Sequence, residues 1–115
     1  MKFLLFATVL TSAAAGQFVL PNVTYPPAGA QSCRWAMKPG NHLQDQNCYE
    51  LRFNRNDGTE NAYQYIQVTY PNPIDGYACE LATYDGSNCT GSSLQVINKT
   101  KCANVSAARS YKVVC

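Results

Sequence analysis

The chain is poor in the residues from which most active sites and metal centres are made. Its 115 residues hold one histidine, His42, and one tryptophan, Trp35, and charged side chains make up only 14% of it. A single histidine with no serine or cysteine nucleophile beside it supplies no acid–base pair, so His42 reads as a surface loop residue. Only Glu50 or Glu60 stands as a partner for it, in the manner of a small secreted ribonuclease, which makes catalysis the weakest of the functional readings. No glycine-rich phosphate loop, no CxxC pair and no Cys/His cluster occurs, so neither a nucleotide cofactor nor a metal is expected. No segment of useful length repeats with a helical period. The apolar run at residues 3–10 is too short to span a bilayer, so no transmembrane segment is expected. The formal net charge of +2 gives no reason to expect nucleic acid or an anionic membrane as a partner.

What is present points outward from the cell. Residues 1–16 place Lys2 ahead of that apolar run and follow it with small residues, Ala13 and Ala15 standing at the spacing of a signal-peptidase site. This is the pattern of a secretory signal, and its removal takes Lys2 and lowers the charge to about +1. All six cysteines, Cys33, Cys48, Cys79, Cys89, Cys102 and Cys115, lie beyond it. An even count in a short exported chain predicts three disulfides, with the connectivity left open. Each is typically worth about 2–4 kcal/mol against a total stability of about 5–15, a large share for one small domain.

Read in order, residues 17–32, with Pro21, Pro26, Pro27 and Gly29, form an extended arm that carries the exposed sequon Asn22-Val23-Thr24. A disulfide-stabilised β domain over residues 33–115 follows. Its first strand is expected at residues 33–38, with Trp35 as a core anchor, closed by the turn Pro39-Gly40-Asn41. A second strand is expected at 47–53, with Tyr49, Leu51 and Phe53 inward, and then a turn through Asp57-Gly58. Residues 62–70 read as the best strand, with Ile66, Val68 and Tyr70 on one face. Pro71-Asn72-Pro73 and Asp75-Gly76 reverse the chain, and 77–84 returns antiparallel to 62–70. Two more strands are expected at 93–97 and 109–115, the latter with Tyr111, Val113 and Cys115 on one face. Residues 104–109 are expected to form a turn of helix with Val105 and Ala108 on one side. The fold class is all-β, with about five to seven strands.

Between 84 and 91 an aromatic, Tyr84, precedes a glycine, Gly91, in a stretch suited to a folded-back hairpin, with Ser110 following near the last strand. This arrangement resembles the Greek-key signature of βγ-crystallins. More closely, LATYDGSNCTG, then Cys102, then RSYKVVC resembles the C-terminal half of the single-domain βγ-crystallin-like antimicrobial proteins of the macadamia antimicrobial peptide type. The resemblance implies a small disulfide-stabilised Greek-key sandwich and an antimicrobial or killer-toxin role. The first half departs from that family: Cys33 and Cys48 are widely spaced and Cys79 has no counterpart. Crystallin-type motifs often bind calcium, but the matching stretch Val105-Ser106-Ala107-Ala108-Arg109-Ser110 lacks the carboxylate and amide ligands, so none is expected there. The whole layout also resembles the small secreted cysteine-rich proteins of filamentous fungi, including candidate effectors.

Three sequons, at Asn88, Asn98 and Asn104, fall close together, and the cysteine at the middle position of the first makes it the least favourable for a glycan. Glycans there leave a partner surface to the tyrosine-rich half, where Tyr63 and Tyr65 are candidates for an outward row. The loop 71–76, with Pro73 and Asp75, is a second candidate surface and suits an inhibitor of secreted proteases. The expectation is therefore a monomeric, extracellular, non-catalytic protein that contacts another protein or a cell-wall glycan.

Overall fold

The structure, a computed structural model, describes residues 17–35 and 45–115. The expected leader, the rest of the first expected strand with its turn, His42 and the Trp35 side chain lie outside the described residues. Within them the chain is all-β, with strands β1 (Phe18–Val19), β2 (Asn22–Thr24), β3 (Tyr49–Glu50), β4 (Arg52–Asn54), β5 (Glu60–Ala62), β6 (Tyr65–Thr69), β7 (Tyr77–Ala78), β8 (Glu80–Tyr84), β9 (Ser93–Ile97), β10 (Lys101–Asn104) and β11 (Ser110–Val114). Two 3-10 turns, Cys33–Trp35 and Ser87–Cys89, complete it. A three-stranded sheet runs in the order β10-β6-β2 and a four-stranded sheet in the order β3-β11-β8-β9. β4 and β5 form a separate hairpin, and β1 lies parallel to β7.

One core joins the two larger sheets. Val23, Ile66, Val68 and Ala103 enter it from the first, and Leu81, Ile97, Tyr111 and Val113 from the second. The period-two pattern accounts for this: Ile66 and Val68 are fully buried while Thr69 between Val68 and Tyr70 is exposed, as an alternating strand requires. Each aliphatic side chain so buried is worth roughly 1.5–3 kcal/mol. Val105 and Ala108 close one end of the core through a turn in which Ala108 N–H donates to Val105 O at 2.9 Å.

Several segments differ from the sequence-based expectation. Residues 17–32 are extended but are no free arm, because β2 pairs antiparallel with β6 and buries Val23. Pro21 and Pro26 flank it without cost, since β2 is an edge strand. The strand expected from residue 33 is instead a 3-10 turn; the Ser32 hydroxyl accepts the Arg34 N–H at 3.3 Å and bends the chain. The strand expected at 47–53 divides at Leu51, where the chain leaves the four-stranded sheet for the β4–β5 hairpin: its N–H donates to Arg109 O at 2.7 Å and its O accepts from Tyr63 N–H at 2.9 Å. Residues 77–84 do not return along 62–70. β8 pairs with β11 and β9, so the loop 71–76 crosses between sheets. Tyr70 spans that crossing, its hydroxyl donating to Cys79 O and facing Ile97 O at 3.2 Å.

All six cysteines are paired, as Cys33–Cys102, Cys48–Cys89 and Cys79–Cys115. The last ties the end of the chain to the start of β8 across a Cα separation of 4.3 Å. The first ties the 3-10 turn to β10, and the second ties the start of β3 to the loop after β8.

That loop, residues 85–92, is folded back on itself. Gly91 has φ +82, and a Cβ there would lie 2.1 Å from Asp85 Oδ1, the oxygen that accepts the Ser92 N–H at 2.8 Å. Asn88 and Cys89 also adopt left-handed backbone, at φ 56 and 57. Ser110, fully buried at the start of β11, holds both sides: its hydroxyl accepts from Cys89 N–H at 2.8 Å and donates to Gly86 O at 2.6 Å.

Candidate functional site

Three separate segments build one cleft of about 410 Å³, lined by Tyr25, Pro26, Pro27, Ala28, Phe53, Asn61 and Tyr63. That volume is in the range of small-ligand sites, roughly 300–1,000 Å³. The β4–β5 hairpin makes the floor. Its turn is set by Asp57, whose carboxylate accepts both the Thr59 N–H at 3.0 Å and the Thr59 hydroxyl at 2.7 Å, with Gly58 at φ +87. These bonds to Thr59 hold the Asp57 carboxyl below its usual pKa. The turn fixes the register that sets Phe53 opposite Asn61. Tyr63, two residues further on, falls on the same side. The wall is the Tyr-Pro-Pro run leaving β2, closed by the bond from Ala30 N–H to Pro27 O at 3.0 Å.

The rings are held from behind. Tyr25 and Tyr63 lie 4.9 Å apart between centroids at 30°, and Phe53 and Tyr63 lie 5.5 Å apart at 46°. Behind Tyr25 the series continues to Tyr111 at 6.4 Å, and from Tyr111 to Tyr49 at 5.6 Å in a stacked pair. The Tyr25 and Tyr111 hydroxyls are hydrogen-bonded to each other. Burial raises the pKa of both phenols; for Tyr111 the neighbouring Tyr25 adds to the effect. At the far end of the series the Tyr49 hydroxyl donates to Asp45 Oδ1 at 2.8 Å, which raises the phenol. The Asp45 carboxyl is lowered chiefly by the Asn47 backbone N–H and then by Tyr49. Each aromatic pair is worth about 0.5–1.5 kcal/mol beyond its area, so the cleft is a preorganised surface and needs little ordering to bind. Its lining offers ring faces, proline rings, two phenols and one amide, and no charged side chain.

Of the tyrosines singled out in the sequence, Tyr63 lies in this cleft, whereas Tyr65 sits half-buried in β6 and does not line it. Pro73 and Asp75 are on the exposed loop 71–76, a separate surface. That loop is tied at both ends, by Tyr70 N–H to Thr100 Oγ1 at 3.0 Å and by Tyr77 N–H to Gln17 O at 2.7 Å, and it presents Ile74 at 41% exposure. Sequence reasoning missed Tyr25, Pro26, Pro27, Phe53 and Asn61. The Asp57-Gly58 turn was the available signal for Phe53 and Asn61, since a hairpin there sets the two in register.

The carboxylates considered as partners for His42 have other roles. Glu50 Oε2 accepts the Asn88 N–H at 2.8 Å, and Glu60 faces Arg52 and Arg109, each at 3.9 Å. Ser110 has its hydroxyl engaged with the folded loop. Among the described residues no group of three or more His, Cys, Asp or Glu is placed to hold a metal ion, and no helix is long and apolar enough to cross a membrane. Of the sequons, Asn88, Asn98 and Asn104 are exposed and Asn22 is half-buried. No family model matches the chain, and no curated protein and no solved structure is significantly similar to it.

Proposed function

We propose that the chain is an exported, non-catalytic binding domain that acts outside the cell, in the antimicrobial or effector class, through the cleft between Tyr25, Phe53 and Tyr63. The observation that carries this reading is the cleft itself: aromatic rings fixed by a series reaching into the core, around a lining without an acid, a base or a nucleophilic thiol. The leader-like residues 1–16 and the pairing of all six cysteines support export, because disulfides persist in oxidising compartments. The seat of Ser110 on the folded loop supports the crystallin-like resemblance, and with it the antimicrobial role.

The test is growth inhibition of competing microbes by the purified protein and by Phe53→Ala. Phe53 is 40% exposed, so its removal leaves the core intact. Loss of a central aromatic anchor costs about 2 kcal/mol, and inhibition should weaken roughly 30-fold with unchanged unfolding. An inactive wild-type protein at high concentration, or a variant of equal potency, defeats the reading. Hydrolysis of RNA or glycan that disappears in His42→Ala defeats its non-catalytic part.

A second reading, inhibition of secreted proteases, is favoured by the loop 71–76, exposed throughout and anchored at each end. Its test is a panel of secreted proteases with Ile74→Asp as the variant. Inhibition lost in the variant supports it, and a panel left uninhibited removes it.

A further inference from the structure

Strands β9 and β10 are each an edge strand of one of the two larger sheets. They follow one another through residues 98–100, and Gln95 Nε2 of β9 donates to Asn104 O at the end of β10 at 2.9 Å. The two edges therefore lie side by side on one flank. β9 carries no charge, and from it Leu94 and Val96 stand 43% and 53% exposed. An uncharged edge strand with an apolar outer face is a template for pairing with a second chain, and folded proteins cover such edges. Two sequons bracket this one. Asn98 follows directly on β9, and Asn104, beside Gln95, ends β10.

We propose that N-linked glycans on Asn98 and Asn104 are the cover of this flank, standing over Leu94 and Val96 and keeping β9 from pairing with a second copy. The inference rests on the export reading, because the donor, a lipid-linked oligosaccharide diphosphate, belongs to the secretory route. In the transfer the bond from the first sugar carbon to the diphosphate breaks, a bond from that carbon to Asn Nδ2 forms, and Nδ2 gives up one proton. Both residues suit it. Asn98 is exposed, and Asn104 uses Oδ1 to accept the Ser106 N–H at 2.9 Å, which leaves Nδ2 to carry the sugar. Asn22 does not: it is paired opposite Thr69 in a sheet, half-buried, with Oδ1 shut off from solvent and without a hydrogen-bond partner. Asn88 stands next to Cys89, which is consumed in the bridge to Cys48.

The test uses the full chain with its leader, secreted by a eukaryotic host, and maps modified asparagines by mass spectrometry after enzymatic release of the sugars. Asn98 and Asn104 should be modified and Asn22 should not. The variant Asn98→Gln with Ser106→Ala abolishes both sequons while keeping the Thr100 hydroxyl that receives the Tyr70 N–H and the Asn104 Oδ1 that caps the turn. It should self-associate in light scattering at concentrations where the glycoprotein is monomeric, and adding Val96→Lys should restore the monomer. Trimming the folded glycoprotein with an endoglycosidase gives the same comparison without substitutions. Sugar on Asn22 in place of these sites, a sugar-free protein that stays monomeric, or an aggregate that Val96→Lys leaves unchanged would overturn the proposal. A chain retained in the cell and unmodified everywhere removes the export reading and this inference with it, whereas an exported chain bare at Asn98 and Asn104 removes only the inference.

Discussion

Replacing Ser110 by alanine should cost the fold about 2 kcal/mol. The side chain is fully buried, and its hydroxyl bonds two backbone groups on opposite sides of the loop after β8, Cys89 N–H at 2.8 Å and Gly86 O at 2.6 Å. A typical internal hydrogen bond contributes a net ~0.5–1.5 kcal/mol, and stranding a buried partner costs ~1–3. Cys89 and Gly86 are half-buried, so water recovers part of the loss and the total settles near the sum of two ordinary bonds. For a domain of this size the melting temperature should fall by roughly 8–16 °C. Urea unfolding with the disulfides intact should show a midpoint lower by about 1 M at an unchanged slope. Ser93→Ala, on an exposed serine of β9, serves as the control and should stay within about 0.5 kcal/mol. If Ser110→Ala is as stable as that control, the hydroxyl does not hold the loop and the account of the folded hairpin is wrong.

Gly91→Ala should cost about 2–3 kcal/mol, because a side chain at φ +82 is strained and its Cβ displaces the Asp85 oxygen from the Ser92 N–H; equal urea midpoints for Gly91→Ala and wild type would refute this. Reduction should unfold the protein at neutral pH. The bridges close sequence separations of 69, 41 and 36 residues, each worth about 4 kcal/mol by chain entropy, and together they match or exceed a typical total stability. A native circular dichroism spectrum after full thiol release would contradict it. Alkaline stability follows from the buried phenols. Tyr70 is pushed up to about 12 from 10.0, first by burial and then by Glu80, and Tyr111 and Tyr25 are also raised by burial. The unfolded chain binds fewer protons than the folded one above pH 10, so stability is fully present below that pH and falls as the pH climbs through about 12. Tyrosinate absorbance should show the phenols of Tyr70, Tyr111 and Tyr25 ionising only with unfolding. A single transition near pH 10 in a folded protein would refute that.

Local chemistry carried the readings that matched the structure. The alternation through Ile66, Val68 and Tyr70, the span 93–97, the pair Tyr111 and Val113, and the common side of Val105 and Ala108 each depend only on near neighbours, although the chain at 105–108 makes a hydrogen-bonded turn and not a turn of helix. What failed depended on distant partners. β10 reads as polar, KCAN, because it is an edge strand that sends only Ala103 inward. β2 is short and flanked by prolines, and only its pairing with β6 makes it part of the core. The return of 77–84 along 62–70 assumed that consecutive strands pair, the usual outcome. Here Tyr70 and the Cys79–Cys115 bridge accompany a crossing to the other sheet.

The cleft was harder to read for the same reason, and its construction shows why it is rigid. Phe53 and Asn61 follow from one local turn, but Tyr25 reaches them only because β2 is carried to the edge of β6, a contact between segments far apart in the chain. Once there, Tyr25 cannot turn aside without breaking its bond to the Tyr111 hydroxyl, and Tyr111, fully buried, is stacked on the partly buried Tyr49. The wall of the cleft is thus fixed by the same rings that fill the interior. Tyrosine serves both purposes because the ring packs as a hydrophobe while the hydroxyl selects one orientation. The shape presented to a ligand is therefore a property of the folded core, and any substitution that loosens Tyr111 should be felt first at Tyr25, in the cleft wall, and through Tyr63 at Phe53.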